Sequence, residues 1–208
     1  WACLTDDDYY IVAGYWGPWG GLESDIHVIK IDSLGNTIWA DTYGGTGSEN
    51  ISDGLKTPDN EIILIGLTSS FGAGENDAYI LKIDTNGDTL WTKAYGLGDW
   101  DYGLSICPTL DNNYLILCDF YYLDCESSQL TLIKIDENGD SLWSRRYEAF
   151  AGIGRSIIPT SDGGYIFGGY SNNPGYLDDY WFVRTDANGD TLWMKTVGHG
   201  DDQRGYSV

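Results

Sequence analysis

The sequence predicts an all-β protein, a β-propeller built from four repeats of about 51 residues, each a four-stranded antiparallel blade. Three observations predict this fold: a segment that recurs four times, four short strand-like segments in each repeat, and apolar runs that are continuous rather than alternating. A chain of 208 residues is long enough to bury a sizeable core. Apolar residues do not recur at helical spacing over three turns, so helices are not expected.

An Asp-x-x-Gly-x-x-x-Trp segment marks each repeat. Its closing tryptophans are 52, 52 and 50 residues apart: Trp39, Trp91, Trp143 and Trp193. We interpret residues 1–208 as one propeller domain, with repeats at 1–50, 51–101, 102–153 and 154–203 and with 204–208 beginning the next first strand. Two arrangements stay open. One is a closed four-bladed ring, and the other is part of a seven- or eight-bladed ring that further sequence or a second chain completes.

The second repeat shows how strands A to D of a blade are assigned. They are predicted at 51–57, 61–67, 78–84 and 89–95. The connections are rich in Asn and Gly, which accept the positive φ that tight hairpins need. Strands B and C are almost entirely apolar, which indicates burial on both faces, as in blades stacked around an axis.

The charge balance excludes several classes of partner. Eleven Lys and Arg residues against 32 Asp and Glu residues give a net charge of −21. Nucleic acid and anionic membrane surfaces both need clustered cations, so neither is expected as a partner. The sequence also lacks the run of 18 apolar residues that a membrane-spanning helix requires. Nine Trp and 16 Tyr residues argue against a disordered acidic chain.

The repeat resembles the tryptophan-docking motif of quinoprotein-type propellers. The fuller pattern, as in Trp91-Thr-Lys-Ala-Tyr-Gly96, is similar to the secreted repeat propellers of Bacteroidetes-type bacteria. The resemblance implies that the four repeated tryptophans are structural and pack on the following blade. It also implies that the protein is secreted or displayed at the cell surface. The residue constellation that would hold pyrroloquinoline quinone and its calcium is absent from the sequence, so no cofactor is predicted.

Few residues point to catalysis or to a metal. The chain has two histidines and no Gly-x-Ser-x-Gly segment, so we predict no catalytic residue and no metal ligand. The Asp-x-Asn-Gly-Asp turns are interpreted as hairpins in which Asp caps its own backbone, rather than as calcium loops. A disulfide between Cys118 and Cys125 is one alternative, and a buried, unbridged Cys118 is the other.

The B–C and D–A loops are the predicted binding face, because they vary between repeats and carry aromatic residues. The A–B and C–D turns at the other end are short and uniform. The candidate ligand-binding residues are Trp16, Trp19, Trp100, Tyr121, Tyr122, Asp99 and Asp101. They predict a non-catalytic binding module whose ligand is a neutral glycan or a protein. A structural or assembly propeller is the first alternative, and a lyase or hydrolase is the second.

Overall fold

The computed structural model describes residues 1–17, 23–98, 100–122, 127–147, 152–171 and 180–197, with the backbone alone at 127–128, 152 and 171. These residues form sixteen strands and no helix. The strands make four antiparallel sheets of four, each in chain order. The predicted all-β class is thereby confirmed, and the arrangement is propeller-like, with one sheet for each sequence repeat. The chain falls into two compact units, residues 1–103 and 104–208.

The first unit contains two sheets. Blade 1 comprises β1 (Ala2–Leu4), β2 (Tyr10–Trp16), β3 (Asp25–Ile31) and β4 (Thr37–Tyr43), and blade 2 comprises β5 (Glu49–Lys56), β6 (Ile62–Thr68), β7 (Asp77–Ile83) and β8 (Thr89–Tyr95). Strand D of blade 2 has the predicted bounds, and the other three strands agree within two residues. The core of this unit lies where the two sheets face each other, and it includes Ile11, Val28, Ile62 and Leu81.

The other two sheets follow the same plan. Blade 3 comprises β9 (Tyr102–Pro108), β10 (Tyr114–Tyr122), β11 (Ser127–Ile135) and β12 (Ser141–Tyr147), and blade 4 comprises β13 (Gly152–Pro159), β14 (Tyr165–Ser171), β15 (Tyr180–Thr185) and β16 (Thr191–Val197). Leu117 and Leu132 of blade 3 share a core with Phe167 and Trp181 of blade 4. The ring of Phe167 meets that of Trp181 edge-on, with centroids 6.1 Å apart.

Strand B of blade 3 runs further than the sequence suggested. Tyr121 and Tyr122 were expected in a loop, but both belong to β10. They pair there with Ser128 and Ser127 of β11. The assignment to a loop was wrong because a tyrosine pair suits a strand well, and the facing segment supplies the ladder that continues it.

Each C–D turn is closed by its own aspartate. In the first, Asp32 Oδ1 accepts the N–H groups of Leu34 and Asn36 at 2.9 and 2.8 Å. The corresponding aspartates bond the residues two and four positions later in the same way: Asp84, Asp136 and Asp186. The fourth residue of each turn is a glycine with φ between +77° and +92°. The interpretation of these segments as self-capped hairpins is confirmed.

A buried cation fastens strand C to the A–B turn in every blade. Lys30 Nζ lies 3.0 Å from a carboxylate oxygen of Asp7, and its side chain is almost entirely buried. Equivalent pairs join Lys82 to Glu61, Lys134 to Asp111 and Arg184 to Asp162, at 2.7, 2.7 and 2.5 Å. The stem of each cation is covered by the sheet while its head meets the partner at the turn, so the charge is not left unpaired.

Within each unit, the strand-D aromatics of the first blade contact the C–D turn of the second. Trp39 Nε1 donates to the carbonyl oxygen of Thr85 at 3.2 Å, and Tyr43 Oη donates to that of Gly87 at 2.6 Å. We call this arrangement the turn contact.

Blades 3 and 4 repeat the turn contact. Tyr147 Oη donates to the carbonyl oxygen of Gly189 at 2.5 Å. A Cβ at Gly189 would lie 3.0 Å from the ring of Trp143, so only a residue without a side chain allows the indole to approach this closely.

The repeated tryptophans differ in exposure. Trp39, Trp91 and Trp143 are half-buried. Trp193 is 41% exposed, and every position of its strand β16 is exposed. The same sequence motif therefore stands in two environments.

This difference predicts unequal effects of truncation. Trp143→Ala should lower the free energy of unfolding by about 3 kcal/mol, the low end for aromatic truncations in cores, since the ring is half-buried. Trp193→Ala should lower it by less than about 1 kcal/mol, because most surface substitutions have small effects. Urea titrations in dilute solution measure both, and equal losses would contradict the assignment of the turn contact.

Candidate functional site

The loops at one end of blades 1 and 2 are tied together by backbone hydrogen bonds. The N–H of Glu49 donates to the carbonyl of Ser24 at 2.5 Å, and the N–H of Asp101 donates to that of Asn76 at 2.9 Å. The N–H of Ser69 donates to the carbonyl of Ser48 at 2.8 Å. We call the end of β2 at 15–16 together with the described loop residues 17, 23–24, 44–48, 69–76, 96–98 and 100–101 the loop face. It is the first-unit part of the binding face that the sequence predicts.

A fully buried carboxylate closes each D–A loop of this unit. Glu49 Oε2 accepts the N–H of Gly45 at 2.8 Å, and its other oxygen accepts the hydroxyl of Thr68 at 2.5 Å. Asp101 Oδ2 accepts the N–H of Leu97 at 2.5 Å. Both carboxylates hold the residue four positions earlier, so a residue at or directly before the start of strand A fixes the shape of the loop that precedes the strand.

A second carboxylate lies beside each of these, at the start of strand C. A Cβ at Gly96 would clash with Asp77 Oδ1 and would lie 2.7 Å from Asp101 Oδ2. At the equivalent place in blade 1, a Cβ at Gly44 would clash with Asp25 and with Glu49. Glycine is thus required where the loop backbone passes between two carboxyl groups.

Burial makes the strand-C carboxyl of each pair, Asp25 or Asp77, hard to ionise. Desolvation raises the pKa of Asp77, and the neighbouring charge of Asp101 adds to the rise. Desolvation also raises the pKa of Asp25, followed by the charge of Glu49 and a hydrogen bond with it. Asp77 is buried, and its Oδ1 has no hydrogen-bond partner among the described residues. The carboxyl pairs are thus part of the loop framework.

Exposed aromatic rings stand on this framework. Trp16, at the end of β2, is 76% exposed, and Trp100 is 49% exposed. Trp100 forms a bridge with Asn76 and lies beside the ring of Tyr102. Phe71 is also exposed, and its ring stacks on Tyr79 with centroids 5.6 Å apart. The loop face therefore offers flat apolar surfaces next to polar loop backbone.

The structure treats the candidate residues unequally. Trp16, predicted in a B–C loop, is instead the last residue of β2. Its ring and that of Trp100 are exposed on the loop face, whereas Asp101 has no exposed surface. Trp19 and Asp99 lie outside the described residues.

The remaining candidates belong to blade 3. Tyr122 is half-buried on its own sheet, where its hydroxyl lies 2.9 Å from Thr131 Oγ1 and the Arg146 guanidinium lies 3.9 Å from its ring centroid. Tyr121 is half-buried too. Cys118 is buried in β10, and Cys125 lies outside the described residues, so their bridge stays a prediction.

The sequence analysis missed the carboxyl pairs, although the repeat contains a signal for them. Asp25 and Asp77 occupy one phase of the repeat, and Glu49 and Asp101 occupy another.

Within the described part of the chain, no three His, Cys, Asp or Glu side chains are grouped as metal ligands. No helix there is long and apolar enough to cross a membrane. The arrangement can stack on flat apolar surfaces and exchange hydrogen bonds.

Comparisons with known proteins support the fold alone. No protein-family model and no curated protein matches the chain. Two variants of the Synechocystis apocarotenoid oxygenase match 95% of this chain and 50% of theirs, at 11% identity and TM-scores of 0.54 and 0.51. The chain thus spans about half the length of those structures.

A Bacteroides caccae protein of unknown function matches 94% of this chain and 80% of its own, at 11% identity and a TM-score of 0.36. A TM-score this low carries no argument. The oxygenase matches and the four sheets together fit a β-propeller-like fold.

The pKa shifts of Asp77 and Asp111 have opposite signs and predict opposite pH dependences for two substitutions. A raised pKa means that Asp77 contributes stability below the unfolded pKa of about 3.9, and that this contribution is lost as the pH rises through the folded pKa. Relative to wild type, Asp77→Asn should therefore gain stability as the pH rises above about 4.

Asp111→Asn is the matched control. Hydrogen bonding to Lys134 lowers the pKa of Asp111 to about 2, so its contribution is present above the unfolded pKa and is lost as the pH falls through the folded one. This variant should be less stable than wild type at neutral pH, by an amount that shrinks in acid. Urea titrations across the pH range measure both variants. If the free energy of unfolding of Asp77→Asn fell further below that of wild type as the pH rose, the buried position of Asp77 would be contradicted.

Proposed function

We propose that the protein is a non-catalytic binding module that holds a neutral glycan on its loop face. The observation that carries the proposal is the exposure of two aromatic rings on fixed backbone. Trp100 lies on a loop that hydrogen bonds and a buried carboxylate hold in place, and Trp16 ends strand β2, where it pairs with Asp25. Fixed aromatic rings bind at a low entropic cost, because little of the site has to be ordered when the ligand arrives.

The chemistry of the face suits a sugar. A pyranose presents C–H faces that stack on aromatic rings, while its hydroxyls need donors and acceptors nearby. Ser48 and Ser69 lie in two of the loops of this face, where the Ser69 hydroxyl accepts the N–H of Ser48 at 2.7 Å and donates to its carbonyl oxygen at 3.4 Å. The net charge of −21 repels acidic polymers, which favours a neutral ligand.

A protein ligand and an assembly role are the alternatives within the same proposal. The enzyme alternative has no residue assigned to it. The Synechocystis structures belong to an oxygenase, but a likeness at 11% identity transfers no residue role to this chain. A secreted or cell-surface location accords with a glycan ligand and remains part of the proposal.

Calorimetry against a panel of soluble neutral polysaccharides tests the proposal. We expect one of them to bind, and we expect Trp16→Ala and Trp100→Ala each to weaken binding about tenfold, or 1.4 kcal/mol. Leu110→Ala is the matched control, because Leu110 is an exposed side chain in an A–B turn, at the opposite end of its sheet. It should leave the affinity unchanged.

Two results would overturn the proposal. Binding that survives both tryptophan substitutions would place the site elsewhere. An absence of binding to every polysaccharide, with a specific protein recovered instead by affinity capture, would favour the assembly role.

A further inference from the structure

Phe71 is an aromatic residue of the loop face that the sequence analysis did not select. It lies in the B–C loop of blade 2, and 44% of its surface is exposed. One side of its ring stacks on Tyr79, with ring centroids 5.6 Å apart and ring planes inclined by 17°. Tyr79 is buried and belongs to the core that blades 1 and 2 share. The ring of Phe71 therefore rests on the core and leaves its other side for a ligand.

A buried hydroxyl fixes the backbone that carries this ring. The N–H groups of Ser70 and Phe71 donate to Thr68 Oγ1 at 2.9 and 3.3 Å. The same hydroxyl donates to the carboxylate of Glu49 at 2.5 Å, and Glu49 in turn accepts the N–H of Gly45. Thr68 and Glu49 have no exposed surface. This chain of hydrogen bonds joins the loop of Phe71 to the D–A loop that precedes blade 2.

That D–A loop passes close to the edge of the ring. A Cβ at Gly45 would lie 3.0 Å from Cζ of Phe71 and 2.6 Å from Oγ of Ser70. The N–H of Gly47 donates to the same Ser70 hydroxyl at 2.7 Å. Glycine at position 45 thus allows the loop to border the ring without displacing it. We call the ring of Phe71 together with residues 45–48 and 69–70 the Phe71 patch.

The Phe71 patch combines an apolar ring with uncharged polar groups. Its loop segments, 45–48 and 69–70, consist of Gly, Thr and Ser only. Thr46 and Ser69 are exposed. The Ser70 hydroxyl accepts the N–H of Gly47 and still has a proton to donate, because no hydrogen bond within the described part of the chain uses it. The patch can therefore stack on an apolar surface and exchange hydrogen bonds beside it.

The loop that carries Phe71 is held at both of its ends. Its first residue, Ser69, donates its N–H to the carbonyl of Ser48 at 2.8 Å. Its last residue, Asn76, forms a bridge with Trp100. Phe71 and Trp100 therefore belong to one hydrogen-bonded framework, which suits a ligand longer than a single sugar.

We propose that the Phe71 patch is a subsite for one neutral sugar residue of the glycan that the loop face holds. The sugar stacks its C–H face on the ring of Phe71, and its hydroxyls exchange hydrogen bonds with Thr46, Ser69 and Ser70. A charged sugar is disfavoured there, because the patch offers no ion-pair partner. This inference rests on the proposed function, since it assigns a further contact to the same ligand.

Calorimetry with soluble glucan, mannan and xylan tests the subsite, using whichever of them wild type binds. Phe71→Leu keeps an apolar side chain but removes the flat ring, so it should weaken binding about tenfold. Phe71→Tyr keeps the ring and should stay within about threefold of wild type. Gly45→Ala should also weaken binding, because its methyl group would displace the ring of Phe71.

Leu90→Ala is the matched control for these variants. Leu90 belongs to the same blade and is 46% exposed, close to the value for Phe71. It lies at the start of β8, beside the C–D turn and therefore at the opposite end of the sheet from the loop face. This substitution should leave the affinity unchanged, and thermal melts confirm that every variant is folded.

Nuclear magnetic resonance observes the same contact in unsubstituted protein. With a ¹³C label confined to phenylalanine, only 5 residues give ring signals, and Phe71→Leu identifies those of Phe71. Adding the polysaccharide that binds should shift the ring signals of Phe71. Binding that leaves these signals in place would overturn the subsite.

The outcomes separate this inference from the proposed function. If Trp16→Ala and Trp100→Ala weaken binding but Phe71→Leu does not, the subsite is wrong and the proposed function stands. If Phe71→Leu alone weakens binding, the subsite stands and the glycan does not contact the two tryptophans. If none of the three polysaccharides binds, the subsite and the glycan ligand are both wrong.

Discussion

The turn contact is the interaction on which the rest of the described structure depends. It requires a glycine with positive φ, because a side chain there would displace the indole, and it requires an aspartate that caps the turn from within. Asp186 and Gly189 supply these features for Trp143, as Asp84 and Gly87 do for Trp39. The repetition of this segment in the sequence agrees with the requirement, since the turns of blades 2 and 4 each serve both their own hairpin and the sheet before it.

The glycine and the aspartate that the turn contact requires lie at one end of the sheets, so the loops at the other end can vary in sequence. The B–C and D–A loops of the first unit are not shaped by the turn contact. They are shaped by backbone bonds between loops and by Glu49 and Asp101, whose carboxylates are completely buried. Rings such as Trp16 and Trp100 can therefore be displayed without weakening the packing between sheets. A binding face of this design can change its aromatic residues while the framework beneath it persists.

The sequence was sufficient for features that depend on local chemistry. The four sheets, the self-capped turns and strand D of blade 2 follow from hairpin residues and apolar runs. Features that depend on contacts across loops were missed, because Asp77 and Asp101 meet only through the conformation of the loop between them. Tyr122 was misplaced because its pairing partner, Ser127, lies beyond a variable loop. The exposure of Trp193 was also missed, since its motif matches those of the half-buried tryptophans.

A double-mutant cycle between Trp143 and Gly189 tests the central claim most directly. In wild type, Gly189→Ala introduces a methyl group in a left-handed backbone conformation and pushes it against the indole, 3.0 Å away. In the Trp143→Ala background only the backbone cost remains. The account predicts that Gly189→Ala costs about 1 kcal/mol more in wild type than in that background, measured as the free energy of unfolding in urea. Additive losses would contradict the claim that the indole and the turn form one interaction.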